Sequence, residues 1–317
     1  MKSFFCAVFL GLILPWILLF TTKKRPIDAD PPPTETIEAL NAETLTYIDV
    51  IVDSGQAQQM EIEEYILGVL IGEMPVDFEL EALKAQAVVA RTFAIKSMNN
   101  HSKHENGEIC VDSSCCQEYY DPSKYLADGG TEEDLEKFRD AVMSTKGQVL
   151  CYDGNLIEAT YFSCSGGKTE DAKAVWGTDV PYLQSVLSPG EEHAVHYMDT
   201  VTFTVQEFQK LLGNSLGSVP ELWVGRVTYT NGGGVETIVL GNKTYTGTQI
   251  RKLLKLNSTS FVITALGNVV TVTTKGFGHR VGMSQYGADA MAVEGKNYRD
   301  ILSYYYQGTT LEIFENI

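Results

Sequence analysis

Positive charge is what this chain has least of. Against 41 Asp and Glu stand only 24 Lys and Arg, a formal net charge of −17 over 317 residues. Nucleic-acid backbones are held by neutralising phosphates with Lys and Arg, so this balance argues against a nucleic-acid partner. Internal repeats are also absent, and low complexity is confined to one short proline-rich stretch. The 44% apolar content is that of an ordinary globular protein, long enough for one large domain or two.

Charge is missing altogether from Phe4 to Phe20. That run is long enough to cross a hydrocarbon core of roughly 30 Å as a helix. The segment Leu18-Leu19-Phe20-Thr21-Thr22 offers no A-x-A-like cleavage site, so residues 1–25 are expected to form an uncleaved transmembrane helix. Lys23, Lys24 and Arg25 outnumber Lys2 and the amino terminus, which by the positive-inside count would keep the body in the cytoplasm. Residues 26–43, with Pro31-Pro32-Pro33 among acids, read as an extended linker.

Several cofactor motifs are absent on inspection. Gly276-Phe277-Gly278-His279-Arg280-Val281-Gly282 imitates a dinucleotide turn, but its last gap is one residue too long. Ser165-Gly166-Gly167-Lys168 fits S-x-x-K, yet the glycine pair predicts a turn where that motif needs a helix. A phosphate loop fails because Phe162 stands where its first glycine belongs.

What is present centres on Val69 to Ala94, VLIGEMPVDFELEALKAQAVVARTFA. It sets Glu73 against Val69, Leu70, Ile71 and Met74. Burial disfavours a charged carboxylate, so Glu73 is a candidate general acid; the alternative is a residue that ends its element and faces water. Leu80, Leu83, Ala87, Arg91, Ala94 and Met98 share one helical stripe, with Ala82, Val89 and Phe93 opposite. Such a helix should be buried. Arg91 then needs an acidic or carbonyl partner, unless it snorkels to the surface. Met74-Pro75 stops the preceding element, and Asp77 is the expected N-cap.

Elsewhere the pattern predicts a strand over Thr44–Val52, an element over Gln59–Leu70 and a helix over Thr131–Ser144. A hairpin is expected over Lys146–Ser163, turning at Asp153-Gly154-Asn155. Helices are expected over Val205–Leu212, Gly247–Lys255 and Ala288–Glu294, with strand-like runs between Val224 and Val272. This order points to an α+β fold. Of six cysteines, Cys6 lies in the apolar N-terminal run. Cys110, Cys115, Cys116, Cys151 and Cys164 remain. His104, Cys110 and Cys116 make a soft N/S set of the kind zinc takes, with His101 and Cys115 as substitutes. A disulfide from Cys110 to Cys115 or Cys116 is the alternative for an exported domain.

The run from Glu73 to Ala94 resembles the stage II sporulation protein D family of bacterial cell-wall enzymes. Gly278-His279-Arg280-Val281-Gly282-Met283-Ser284-Gln285-Tyr286-Gly287-Ala288 is similar to its G-H-G-V-G-M-S-Q-Y-G-A signature, and Tyr161 to Glu170 to its Y-H-S-x-S-G-G-x-T-E segment. Trp176-Gly177 and Pro181-Tyr182-Leu183 follow in the same order, so the resemblance covers about residues 45 to 312. Two positions depart from it. Phe162 replaces a frequent His, and Arg280 replaces a Gly.

The resemblance implies a two-lobed catalytic region over residues 44–317, with mixed helices, antiparallel sheets and a central cleft. It implies lytic transglycosylation of peptidoglycan glycan strands, with 1,6-anhydro-N-acetylmuramic acid products, in septal remodelling and engulfment during sporulation. One carboxylate, Glu73, would act as acid and then base. Arg91, Ser163, Ser165, Lys168, His279, Gln285 and Tyr286 are the expected substrate-binding residues. Gly166, Gly167, Gly278 and Gly282 are expected to let backbone approach the glycan. Family members that hold zinc through one His and two Cys imply His104, Cys110 and Cys116 as ligands, with Cys116-Gln117 matching the Cys-Gln that follows. The resemblance further implies a partner amidase, engulfment membrane proteins, and a single-pass membrane location with the catalytic region outside the cytoplasm. Two rival functions are a non-catalytic wall-binding amidase enhancer and a zinc-dependent hydrolase.

Overall fold

The computed structural model describes residues 47–52, 55–100, 104, 108–213 and 216–314. These lie in one compact unit, Thr44–Ile317, which contains two hydrophobic cores. The larger core is built on two helices, Ile62–Glu73 and Leu80–Asn100. The first buries Ile62, Tyr65, Ile66, Leu67, Val69 and Leu70, and is capped at its start by Glu61, whose side chain accepts from Glu64 N–H. Pro75 forces Met74 into extended backbone (φ −127°, ψ 135°), so the helix ends with Glu73 as its last residue.

The second helix is apolar on opposite sides, as its sequence predicts. Leu83, Ala87, Ala90 and Ala94 are fully buried on it, and so are Ala82 and Val89. Its small alanines let neighbouring elements approach closely. It starts at Leu80, and the N–H of Glu79 is met by Asp289 Oδ1 at 2.7 Å, so Asp77 is not its cap. Arg91 is 0% exposed. Its Nε donates to Glu63 Oε1 and Oε2 at 3.0 and 3.1 Å, its Nη2 donates to Oε2 at 2.5 Å, and the guanidinium also reaches the carbonyls of Ala87, Val142 and Gln148. Gly147 N–H adds a second donor to Glu63 Oε1 at 3.0 Å.

Around these helices lie Glu132–Met143, capped by a Thr131 capping box, Gln285–Val293 and Tyr298–Tyr305. The predicted hairpin is shorter than expected: Gln148–Tyr152 pairs with Asn155–Leu156 through Asp153 and Gly154, both at positive φ. Tyr161–Phe162 leaves that hairpin and pairs in parallel with Met283–Ser284. A second parallel pairing joins Tyr47–Ile51 to Ile109–Cys110.

The smaller core holds two antiparallel sheets, one of Val224–Tyr229, Val235–Leu240 and Lys243–Thr246, the other of Met198–Thr204, Phe261–Leu266 and Val269–Lys275. Helices Val205–Leu212 and Gly247–Leu254 cover them, each opened by a threonine capping box. Phe208 stacks on Trp223 inside this core, rings 6.1 Å apart.

The mixed α+β class with several sheets follows the expectation, but the transmembrane helix does not. No helix among the described residues is long and apolar enough to cross a membrane. The longest, Leu80–Asn100, carries Glu81, Lys84, Arg91 and Lys96, and it folds into the larger core. The expected span over residues 1–25, like the linker over 26–43, lies outside the described residues.

Candidate active site

Glu73 opens onto a cavity of about 450 Å³ lined also by Phe93, Ser113–Cys116, Thr160–Ser163, Trp176, Phe277–His279 and Gln285. Three local features bring these pieces together. Gly68 has no side chain, so the Tyr119 ring packs directly on the Glu73 helix; a Cβ there would lie 2.1 Å from that ring. Tyr120 N–H then bonds Gly68 O at 2.9 Å, and Glu118 N–H reaches Glu73 Oε1 at 2.9 Å. On the other side, Gly282 (φ +85°) lets the parallel pair close, since a Cβ would sit 2.0 Å from Thr160 O. That pairing sets Tyr161 and Gln285 beside the carboxylate.

The resulting hydrogen bonds are unequal. Glu73 Oε1 accepts from Glu118 N–H and from Tyr161 O–H, both at 2.9 Å. Among the described residues, Oε2 accepts from Gln285 Nε2 alone, at 3.3 Å. Tyr161 in turn accepts from Gln117 Nε2 at 3.1 Å, and Gln117 Oε1 accepts from Tyr65 O–H at 3.3 Å. Burial raises the Glu73 pKa above the ordinary 4.5, outweighing the bonds that lower it. Burial likewise lifts Tyr161 well above its usual range, which keeps it a donor. Oε2 is thus the less occupied oxygen, with more room for a proton than Oε1.

The expected site residues divide. Glu73, Ser163, His279 and Gln285 line the cavity. Arg91 does not, because its whole guanidinium is buried on Glu63 and backbone carbonyls. Ser165 is buried and donates to Glu191 Oε2 at 2.8 Å, together with the N–H groups of Ser165 and Gly166. Lys168 Nζ bonds Asn231 O at 2.6 Å, away from the cleft. Tyr286 packs edge-on to Phe78 at 4.9 Å, and its N–H bonds Ser163 O. Gly166 also serves packing rather than approach to a ligand: a Cβ there would lie 2.9 Å from Gly276 N.

His279 is neutral at neutral pH. Burial, then the charge of Arg251, push it down to about 4. Its Nδ1 accepts from Val281 N–H at 3.1 Å, and its ring lies between Phe162 and Trp176, at 5.7 and 5.4 Å. Arg280 stands at φ +68°, a conformation that suits glycine. Its side chain compensates by binding Ser165 O, Lys168 O, Gly232 O and Glu170 Oε1. Sequence reasoning did not assign Tyr161 and Gln117 to the Glu73 hydrogen-bond chain, or Glu191 to the turn at Ser165 and Gly166. Tyr161 had a signal at the head of a recognisable block and Gln117 in the Cys116-Gln117 match, whereas Glu191 had none.

His104, Cys110, Cys115 and Cys116 bring their ligand atoms within 4.8 Å of one another. Among the described residues all five cysteines are thiols, so the disulfide alternative is not formed. His104 Nε2 lies 3.8 Å from Cys115 Sγ and 3.7 Å from Cys116 Sγ, and the two sulfurs are 3.8 Å apart. A tetrahedral site with metal–ligand bonds of about 2.0–2.3 Å needs ligand atoms about 3.3–3.8 Å apart, so this set could hold a metal ion. The expected triplet thereby becomes four with Cys115. Cys164, by contrast, is fully buried beside Glu191, and its thiol is pushed up to about 12, which leaves it no nucleophile.

A family model described as stage II sporulation protein matches residues 53–152. The chain is 43% identical over 285 residues to stage II sporulation protein D of Bacillus subtilis (strain 168), covering 88% of this chain and 82% of that protein. It is 43% identical over 259 residues to the protein of the same name from Bacillus amyloliquefaciens, covering 80% and 75%. It is also 30% identical over 303 residues to an amidase enhancer of Bacillus subtilis (strain 168), covering 77% of this chain but 40% of that protein. With 43% identity to the first two relatives over most of both chains, the chain belongs to the stage II sporulation protein D family.

Proposed function

We propose that this protein is a peptidoglycan lytic transglycosylase that acts on the cell wall during sporulation. Glu73 protonates the glycosidic oxygen from Oε2, and the bond to the anomeric carbon breaks. The carboxylate then takes the proton of the same sugar's C6 hydroxyl as that oxygen attacks the anomeric carbon. The product is a 1,6-anhydro-N-acetylmuramic acid end. The observation that carries this reading is the single raised carboxylate. Among the described residues lining the cleft, Glu73 is the one Asp or Glu, whereas ordinary glycosidases pair two carboxyl groups about 5–9.5 Å apart. Such a substrate places the catalytic region outside the cytoplasm, where a partner amidase would strip stem peptides.

Zinc suits the thiolate and imidazole set of His104, Cys110, Cys115 and Cys116. Four protein ligands would make a closed site, and an ion held there would brace the loop that presents Glu118 N–H and Gln117 to Glu73 and Tyr161. This favours a structural metal over the water-activating one of a hydrolase. The enhancer reading draws on the amidase enhancer relative, and it requires no acid in the cleft. Digestion of purified glycan strands separates the three. Anhydro ends, lost in Glu73→Gln, support the lytic reading; reducing ends or intact strands refute it.

A further inference from the structure

Two large aromatic side chains stand open in the cleft. Trp176 is 47% exposed and Phe277 39% exposed, and both line the cavity that holds Glu73. Each is fixed by its surroundings. Trp176 ends the helix Ala172–Trp176, where Gly177 (φ +81°) turns the chain away, and its ring leans on His279 at 5.4 Å. Phe277 lies between Gly276 and Gly278, both at positive φ, and stacks on His196 at 4.8 Å with 25° between planes. His196 is held in turn by Asp199, Nδ1 to Oδ2 2.8 Å. The rings are therefore in place before a ligand arrives, which lowers the ordering cost of binding.

The rest of the lining says what they could bind. Among its described residues there is no Lys or Arg, so the lining offers no basic side chain with which to grip an anionic ligand. It offers instead the hydroxyls of Ser113 and Ser163 and the amide of Gln285, with the Ser114 and Thr160 oxygens as acceptors, since their protons go to Asp112 and Val281 O. Open apolar rings ringed by neutral hydrogen-bonding groups suit a pyranose, whose axial C–H bonds make an apolar face and whose edge carries hydroxyl and acetamido groups. We propose that Trp176 and Phe277 are stacking platforms for N-acetylhexosamine rings of the glycan strand, seating it beside Glu73. This rests on a glycan being the substrate, and it assigns binding roles to two residues outside the catalytic hydrogen-bond set.

The test uses the full chain carrying Glu73→Gln, which binds without turnover, and the N-acetylglucosamine tetrasaccharide as probe. The chain has three tryptophans, and Trp223 is buried in the smaller core with its N–H on Gly217 O. Saturation should change the tryptophan emission, and Trp176→Phe should abolish that change while calorimetric affinity stays within about threefold. Trp176→Ala and Phe277→Ala should each weaken binding about tenfold, the worth of one aromatic stacking contact. In the active protein they should raise KM and leave kcat nearly unchanged, as expected for binding made equally in ground and transition states. Alanine variants that bind like the parent would overturn the proposal, as would a parent that does not bind the probe. Reducing ends from wall digestion, with the alanine effects intact, would remove the lytic reading and leave the platforms standing.

Discussion

At the residue scale the chemistry turns on the two oxygens of Glu73. Oε1 is filled by Glu118 N–H and Tyr161 O–H, which stabilise the charged form, while burial raises the pKa overall. Tyr161→Phe removes a bond that lowers the pKa. The acid should then stay protonated to higher pH, so the alkaline limb of the kcat/KM profile moves up, while kcat falls because the carboxyl is less firmly aimed. A pH–rate series checks this, and a limb that moves down contradicts it. Linkage gives a second expectation. A carboxyl whose folded pKa is raised binds more protons folded than unfolded, so stability falls as pH climbs from the unfolded value near 4.5 through the folded one. Glu73→Gln should therefore melt higher than the parent at pH 7, with the gain vanishing below about pH 4. Much of this was legible in sequence, since Glu73 is flanked by apolar residues and followed by Met-Pro. The sequence also marks Arg91 as buried, but it does not reveal Glu63, one helix earlier, as its partner. Arg91 thus reads as a cleft residue when its work is internal.

At the element scale, the Glu63–Arg91 pair ties both long helices to the strand Gln148–Tyr152 through Gly147 N–H and Gln148 O. Arg91→Met leaves a carboxylate buried without its counter-ion, at a cost of about 3–5 kcal/mol. The double variant Glu63→Gln with Arg91→Met should recover a large part of that loss, measured by urea unfolding. Gly282→Ala should unfold or strongly destabilise the chain, because its Cβ would overlap Thr160 O and its φ of +85° strains any side chain. Helices with threonine caps at 131, 204 and 246 were readable because a capping box has a local signature. The parallel pairing of Tyr161–Phe162 with Met283–Ser284 was not, since two-residue strands carry no alternation and the partners lie far apart in sequence. That hidden pairing is what sets Gln285 and Tyr161 on the same carboxylate.

Across the whole molecule, the cleft is built chiefly by the larger core, with Phe277–His279 entering from the strand that leaves the smaller one. Arg280 fastens the two, reaching Ser165 and Lys168 on one side and Gly232 on the other. If the His104–Cys110–Cys115–Cys116 set holds a structural zinc, the purified protein should carry one metal per chain by elemental analysis. Chelation should lower Tm, and zinc should restore it. A hydrolytic metal would instead be removable with activity lost and Tm unchanged. The most direct test of Glu73 working alone is digestion of purified glycan strands in heavy-oxygen water, followed by mass spectrometry of the ends. Attack by the sugar's own C6 hydroxyl predicts anhydro ends one water lighter than reducing ends and free of heavy oxygen, with none formed by Glu73→Gln. Heavy oxygen at the new anomeric carbon would mean that water is the nucleophile, and would contradict the mechanism.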